Sequence, residues 1–514
     1  MLIGDISRRN ARRFKSKPAV IFGDTTLSWA ALDERANRLA TYLLSRGLVK
    51  GDRVGVFGQN MLYWPEITYG LAKAGLVLVS VNVRVAPSEA EFMLADAGAR
   101  AAIIHHDQVN TFGPIVAGLD VLVEIASAEI AGTELGPDYE TALSAGRNVD
   151  PTPADLHEND LHFLLYTSGT TGRPKGVMNV HRSMVMQAFD TCLVTESREA
   201  DIMLATTPFY TAGGMIRTIS WMFMGQTLII HPRFDPDHVI HDIEHLRATF
   251  TTFIPTMLQR LLTRLEEQPG HDMSSLRRIS YGSAPSGPDL ARRAMAMLGC
   301  DLQQRYGLTE AGGQVTTLQP WDHVRMFDDK PWLVGSCGRE STHAEITIVD
   351  DDGHEVPTGE VGEIRIIGET TAAGYWNRPE ETAKTFRPDG LYSGDMGKLD
   401  DEGYLYLVSR KTDMIISGGF NVYPAEIERV IGGHPNVEMV AVIGLSDPEW
   451  GETPVATIVP KGDIAIADLE ASLRELCRKD LAGYKQPRRF EFRQDMPLGP
   501  AGKILKRELR DEYS

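Results

Sequence analysis

The segment Thr167-Ser168-Gly169-Thr170-Thr171-Gly172 puts six hydroxyl-bearing or glycine residues in a row, between the apolar run Phe163-Leu164-Leu165 and Lys175. Neither a helix nor a packed strand is built from such a run. Each glycine costs about 1 kcal/mol inside a helix, and small polar side chains leave no apolar face to bury. The chain must therefore leave a buried strand and enter an open turn with accessible backbone N–H groups. Such a turn can wrap phosphate oxygens, and Lys175 adds a mobile positive charge. It is not the common P-loop, which needs Ser or Thr after the lysine; here Lys175 stands between Pro174 and Gly176.

The surrounding pattern fixes the fold class. Trp29, Leu32, Ala36, Leu39 and Leu43 recur at helical spacing, with Ser28 as N-cap and Gly47 as stop. Strands are expected at 54–57, 76–83 and 101–105. This alternation points to parallel or mixed sheets covered by helices, and it continues to Cys300. After Trp332 the texture turns β-rich, with runs at 345–349, 361–367 and 404–408 separated by turns such as Asp352-Gly353 and Asp389-Gly390. Beyond Lys411 a compact unit follows. It holds a helix opening at Pro424, strands near Val440 and Thr457, and a helix carrying Leu469, Leu473 and Leu476. The expectation is an α/β protein with a large N-terminal domain of several subdomains, residues 1–410. A small α+β domain, residues 411–514, completes it.

Composition narrows the partners. Lys and Arg number 52 against 70 Asp and Glu, a net charge of −18, which argues against a dedicated nucleic-acid binder. Residues 485–510 run against that balance, with eight basic residues and three acidic ones. Four well-separated cysteines (Cys192, Cys300, Cys337, Cys477) lack disulfide or metal spacing and suit a reducing cytoplasm. No uncharged apolar run reaches the ~18 residues of a membrane span, and the N-terminus lacks the apolar core of a secretory signal. His241-Asp242-Ile243-Glu244-His245 matches an inverted zinc-protease pattern. The apolar stripe Val239, Ile243, Leu246 and Phe250 instead turns those histidines toward a wet helix face.

Beyond the loop, further motifs follow in order: Tyr306-Gly307-Leu308-Thr309-Glu310, Tyr392-Ser393-Gly394-Asp395, Ser409-Arg410-Lys411-Thr412-Asp413, the stretch from Gly418-Gly419 to Glu428, and Pro497 through Gly502-Lys503. Alone, each acid or lysine would read as a turn or surface residue. Together with the loop they resemble the adenylate-forming family: acyl-CoA synthetases, adenylation domains of peptide synthetases, and beetle luciferases. The resemblance covers nearly the whole chain. It implies a large domain and a mobile lid turning about Lys411-Thr412, with ATP, Mg²⁺ and coenzyme A as cofactors.

The resemblance also implies residue roles. Thr167, Ser168, Gly169, Thr170, Thr171 and Lys175 would hold phosphates. Tyr306 would stack on adenine with Gly307 beside it, and Asp395 would accept from the ribose hydroxyls. Arg410 would add a second nucleotide contact. Glu310, with Thr167, would hold Mg²⁺, a hard cation suited to oxygen ligands; Thr309 would donate to the α-phosphate. Lys503 would stabilise charge between carboxylate and α-phosphate. Gly418 and Gly419 would approach the adenylate for thiol attack, with Trp450 and Tyr484 along the pantetheine channel. The basic tail is read as a site for coenzyme A phosphates.

The segment Pro208 to Gly214 resembles the family's acid-binding segment, with Tyr210 where a histidine is frequent. Tyr210, Gly213, Gly214, Gly312 and Gly313 would line the acid pocket together with Ser283-Ala284-Pro285, of which Ser283 and Ala284 would also bind the nucleotide. Met215, Trp221 and Phe223 are either walls or core. The expected substrate is an acid with an uncharged tail: medium-chain, alicyclic or aromatic. Three alternatives stay open: loading of an acyl carrier protein, a luciferase-like oxygenase, and a non-catalytic nucleotide-binding protein. The sequence leaves open whether the chain is a monomer or a homodimer.

Overall fold

Ser28 caps the first long helix, Trp29–Ser45, by accepting from the Ala31 N–H at 3.2 Å, and Leu32, Ala36, Leu39 and Leu43 all face inward with no exposure. This local outcome follows from spacing and cap chemistry alone. The computed structural model describes residues 1–126, 135–167, 173–282, 287–417, 420–448, 450–462, 464–498 and 504–513.

Two sheets organise the N-terminal body. In the six-stranded sheet the order is Val121–Ile125, Ala99–His105, Arg53–Phe57, Val77–Val81, Leu161–Thr167, Lys175–Val180. All neighbours are parallel except the last pair. A nine-stranded sheet has a parallel centre through Asp301–Leu308, Arg278–Gly282, Phe250–Phe253, Ile202–Ala205, Thr227–Ile230 and Pro18–Phe22, with antiparallel strands at both ends. Helices Trp29–Ser45, Trp64–Ala74 and Ala212–Ser220 share one core with inward residues of both sheets, such as Val56 and Phe163 from one and Met203 and Leu228 from the other.

Every residue of helix Trp64–Ala74 is buried, including two charged ones. Glu66 accepts a two-pronged contact from Arg35 at 2.6 and 3.0 Å, and Lys73 donates to Asp33 at 2.5 Å and Asn37 at 2.6 Å. Buried charges persist only when paired in this way.

A third, antiparallel sheet contains Ala344–Val349, Gly362–Gly368, Gly390–Leu399, Phe386–Arg387 and Leu405–Arg410. Its apolar face (Ile346, Ile364, Leu391, Leu405) packs against Tyr306, Ala311 and Val315. That packing brings the Asp395 motif to the Tyr306 motif. Residues after 413 form a separate sheet of Phe420–Val422, Ile415–Ser417, Gly451–Pro460, Val437–Asp447 and Arg489–Phe492, backed by helices Pro424–Gly432 and Ile466–Asp480. The molecule is a mixed α/β structure with a large N-terminal domain and a smaller C-terminal one.

One helix ends earlier than its apolar stripe suggested. Helix Pro236–His245 stops before Arg247, which takes a positive φ of 57°, and Phe250 opens the next strand instead. The expected solvent-facing histidines are observed: His241 and His245 stack at 4.4 Å on the outer face, and Glu244 pairs with His271.

Candidate active site

Tyr306 lies near the end of strand Asp301–Leu308, where the β-rich sheet covers it. Its hydroxyl donates to Asp395 Oδ2 at 2.7 Å. Arg410, the cross-strand neighbour of Asp395, holds the other carboxylate oxygen at 2.6 Å. Tyr306 and Asp395 are both buried. Burial, then the adjacent carboxylate, pushes the phenol far above its usual pKa, so it stays a hydrogen-bond donor. The two expected nucleotide motifs, 89 residues apart, thus meet in one hydrogen-bonded triad.

The next turn carries Thr309 and Glu310 in a single 3₁₀ turn, Thr309–Ala311. Gly312 closes it at φ +74°, and a Cβ there would lie 1.9 Å from the Thr370 carbonyl oxygen; only glycine allows that approach. Segment 370–376 then threads past the strand after the loop. Ala372 N–H donates to Glu310 O at 2.9 Å and Trp376 N–H to Gly176 O at 2.8 Å. As a result Tyr375, absent from the sequence expectations, donates its hydroxyl to Glu310 Oε1 at 3.0 Å. Lys175 sits with its ammonium 5.2 Å from the centre of the same ring, and Thr167 faces Lys175 across the strand pair. Thr167, Lys175, Tyr375 and Glu310 therefore share one corner. A carboxylate with one oxygen oriented by a phenol is a chemically suitable ligand for a hard cation.

Tyr210 is buried just before helix Ala212–Ser220, and burial raises its phenol pKa. Gly214 is packed too tightly for a side chain: a Cβ would lie 2.0 Å from the Pro208 carbonyl oxygen. Gly213 has open surroundings by comparison. Met215, Trp221 and Phe223 are buried in the main core, and Trp221 also borders a gap of about 10 Å³, room for no more than a water, with Ile216, Arg217, Thr252, Ser280 and Gln314.

Arg410 leads directly into a 3₁₀ turn, Lys411–Asp413. Lys411 donates to Asp351 at 2.7 Å and to Glu363 at 3.0 Å; the other oxygen of Glu363 accepts from Gly394 N–H at 3.1 Å. Against the opposing effect of burial, these acids hold the Lys411 pKa above its ordinary value. In the C-terminal unit Trp450 carries the Arg488 guanidinium 4.4 Å from its ring centre, and Tyr484 stacks on Phe420 at 4.7 Å.

The basic tail differs from its expected role as a phosphate cluster. Lys485 is bound by Glu426, Arg493 by Glu512, Lys506 by Glu428 and Arg510 by Asp413; Arg489 and Arg507 also pair with acids. Acids outside the counted window supply most of this neutralisation, so linear charge counting overstated the free positive charge. Among the described tail residues, Arg488 alone has no carboxylate partner. Ser168, Gly169, Thr170, Thr171, Ser283, Ala284, Pro285, Gly418, Gly419 and Lys503 lie outside the described residues.

A large helix-covered body, a smaller C-terminal domain, and a Tyr–Asp–Arg triad beside a Lys–Tyr–Glu corner define the class of adenylate-forming enzymes. Comparison with known proteins makes the assignment specific. The AMP-binding enzyme profile matches residues 7–376 and the AMP-binding enzyme C-terminal domain profile matches residues 426–503; the chain belongs to the AMP-binding enzyme family. It is 36% identical over 513 residues to a feruloyl-CoA synthase of an Amycolatopsis species, covering 99% of each chain. It is 34% identical to a fatty acid–[acyl-carrier-protein] ligase, ScoC, of Streptomyces coeruleorubidus, covering 98% of this chain and 95% of that protein. The structure of the anthranilate CoA ligase AuaEII in complex with anthranoyl-AMP superposes with a TM-score of 0.89 at 28% identity, over 100% of this chain and 97% of the other.

Proposed function

We propose that this protein is an ATP-dependent carboxylic acid–CoA ligase that forms an acyl-adenylate and then an acyl-CoA thioester. The observation that carries the reading is the convergence of separated segments on one place: Thr167 and Lys175, Tyr306 and Glu310, Tyr375, and Asp395 with Arg410. A carboxylate attacking the α-phosphorus approaches an anion, so catalysis must neutralise charge and hold an in-line geometry.

Each side chain has a task in that chemistry. Asp395 accepts from the ribose hydroxyls, with Tyr306 and Arg410 fixing its carboxylate, and Tyr306 offers its ring to adenine. The hydroxyls and glycines of 167–171, with Lys175, hold the phosphates; Gly307, Ser283 and Ala284 border the nucleotide. Thr309 donates to the α-phosphate. Glu310 and Thr167 are suited to Mg²⁺, which when bound supplies charge neutralisation at the phosphates. Lys503 stabilises the charge that develops as the carboxylate attacks.

The domain boundary falls between residues 410 and 411, and the lid turns at Lys411-Thr412. This residue pair suits the task, since Lys411 is itself partly exposed and its contact with the exposed Asp351 exchanges readily with water. The turn withdraws Lys503 and brings Gly418-Gly419 to the adenylate, where Trp450 and Tyr484 guide the thiol arm. Tyr210, Gly213, Gly214, Gly312 and Gly313 border the acid. The four free cysteines support a cytoplasmic location. Among the described residues no helix is long and apolar enough to cross a membrane.

The test is a panel of acids assayed for pyrophosphate release and acyl-CoA mass together. Stoichiometric, acid-dependent appearance of both supports the reading; nucleotide binding without pyrophosphate release overturns it. The neutralised basic tail favours one second reading, an acyl carrier protein as acceptor, because that acceptor lacks the nucleotide phosphates of coenzyme A. Titrating preformed acyl-adenylate with each thiol separates the two.

A further inference from the structure

Strand Gly390–Leu399 does not run regularly beside strand Gly362–Gly368. Glu363 pairs with Met396 and Arg365 with Tyr392, so the single residue Ile364 stands opposite Ser393, Gly394 and Asp395. Those three residues bulge out of the ladder. Gly394 takes φ +71°, the left-handed conformation on which such bulges turn. On the other side of the strand the pairing holds at this point, with Asp395 opposite Arg410. A bulge beside a binding site re-aims a side chain, and here it sends the Asp395 carboxylate to the Tyr306 hydroxyl.

Inside a bulge the backbone N–H groups lose their regular acceptors and must find others. Asp395 N–H donates to Ser393 Oγ at 3.1 Å, a contact within the bulge. Gly394 N–H donates to Glu363 Oε1, also at 3.1 Å, which ties the bulge to the neighbouring strand. The second oxygen of Glu363 accepts from Lys411 Nζ at 3.0 Å. Glu363 is buried, and both of its oxygens are therefore held. A hydrogen bond from a backbone N–H to a carboxylate is roughly twice as strong as one between neutral groups. That strength suits a turn whose side chain has to keep one direction.

Resting on the assignment of Asp395 to the ribose hydroxyls, we propose that Glu363 is a positioning residue for nucleotide recognition. By holding Gly394 it fixes the aim of Asp395, and with it the preference for a nucleotide that carries ribose hydroxyls. Glu363 acts through the backbone of Gly394, not by touching the nucleotide.

The experiment measures dissociation constants by calorimetry, with Mg²⁺ and without acid, for ATP and for 2′,3′-dideoxyATP, which offers Asp395 no hydroxyl. The proteins are the wild type, Glu363→Met, Glu363→Asp and Glu363→Gln. The wild type should bind ATP about tenfold to a hundredfold more tightly than the dideoxy nucleotide, the scale of hydrogen bonds to a charged acceptor. Glu363→Met fills the space but cannot accept from Gly394, and should lower that ratio about tenfold while dideoxyATP binds as before. Glu363→Asp keeps the charge facing Lys411 but withdraws the acceptor from Gly394 by one methylene. It should lower the ratio in the same direction, and it decides the matter if Glu363→Met does not fold. Glu363→Gln retains an acceptor oxygen and should keep most of the preference. A purely structural role would weaken both nucleotides alike and leave the ratio unmoved. A wild-type ratio in Glu363→Met and Glu363→Asp, or a loss in Glu363→Gln equal to theirs, overturns the proposal alone. Equal binding of the two nucleotides by the wild type defeats the ribose assignment of Asp395 and this inference with it.

Discussion

Tyr375→Phe isolates one atom of the proposed active site. The ring that faces Lys175 is kept, and only the hydroxyl 3.0 Å from Glu310 Oε1 is lost. Tyr375 is 8% exposed, and burial followed by the Glu310 charge raises its pKa, so the hydroxyl is a donor throughout the working pH range. A hydrogen bond to a charged group contributes about 1.5–3 kcal/mol. Glu310 is itself only partly buried, and solvent can replace some of the loss, so the lower end applies: roughly tenfold in an equilibrium constant. If Glu310 holds Mg²⁺, an unoriented carboxylate binds it less well. Acid-dependent exchange of pyrophosphate into ATP, measured against free Mg²⁺ at fixed ATP, should show the half-saturating Mg²⁺ concentration rising about tenfold. An unchanged Mg²⁺ requirement, or a lower one, refutes the assignment of Glu310 and of Tyr375 as its positioning residue. A melting curve matching the wild type ensures that the effect is local.

Other perturbations follow from the packing. Glu66→Ala removes a fully buried carboxylate that holds the partly exposed Arg35 guanidinium at 2.6 and 3.0 Å; it should destabilise by about 3 kcal/mol, with Glu140 retaining part of the Arg35 charge pairing, and a urea-unfolding loss below about 1 kcal/mol would refute the pair's contribution. His181 is buried and its Nδ1 accepts from the Ile3 N–H at 3.3 Å. Burial lowers its pKa from 6.5 to about 4. Because the unfolded chain protonates first, stability should fall between pH 6.5 and pH 4 by about 3 kcal/mol from this group and level off below. His181→Gln, which can still accept from Ile3, should flatten that slope; the same slope in both proteins contradicts the assignment.

How much of this was legible in the sequence depends on whether a position's fate is local. The helix at Trp29 and the strand at 54–57 follow from spacing and caps, and each is observed. Phe250 was misassigned because helical spacing alone does not register the chain reversal at Arg247. The tail charges were misjudged for a related reason: their partners Glu426, Glu428 and Asp413 come from other elements. Tyr375 carried no motif at all. Tyr375 reaches Glu310 only because segment 370–376 threads beside the loop strand.

The central claim is that two chemical steps share one nucleotide site and that Lys503 serves only the first. The direct measurement is the rate of each half-reaction in wild type and Lys503→Ala: adenylation from acid and ATP, and thioester formation from supplied acyl-adenylate and coenzyme A. The account predicts a fall of ~10²–10³ in adenylation with thioester formation largely retained. Equal loss in both steps, or none in the first, contradicts it.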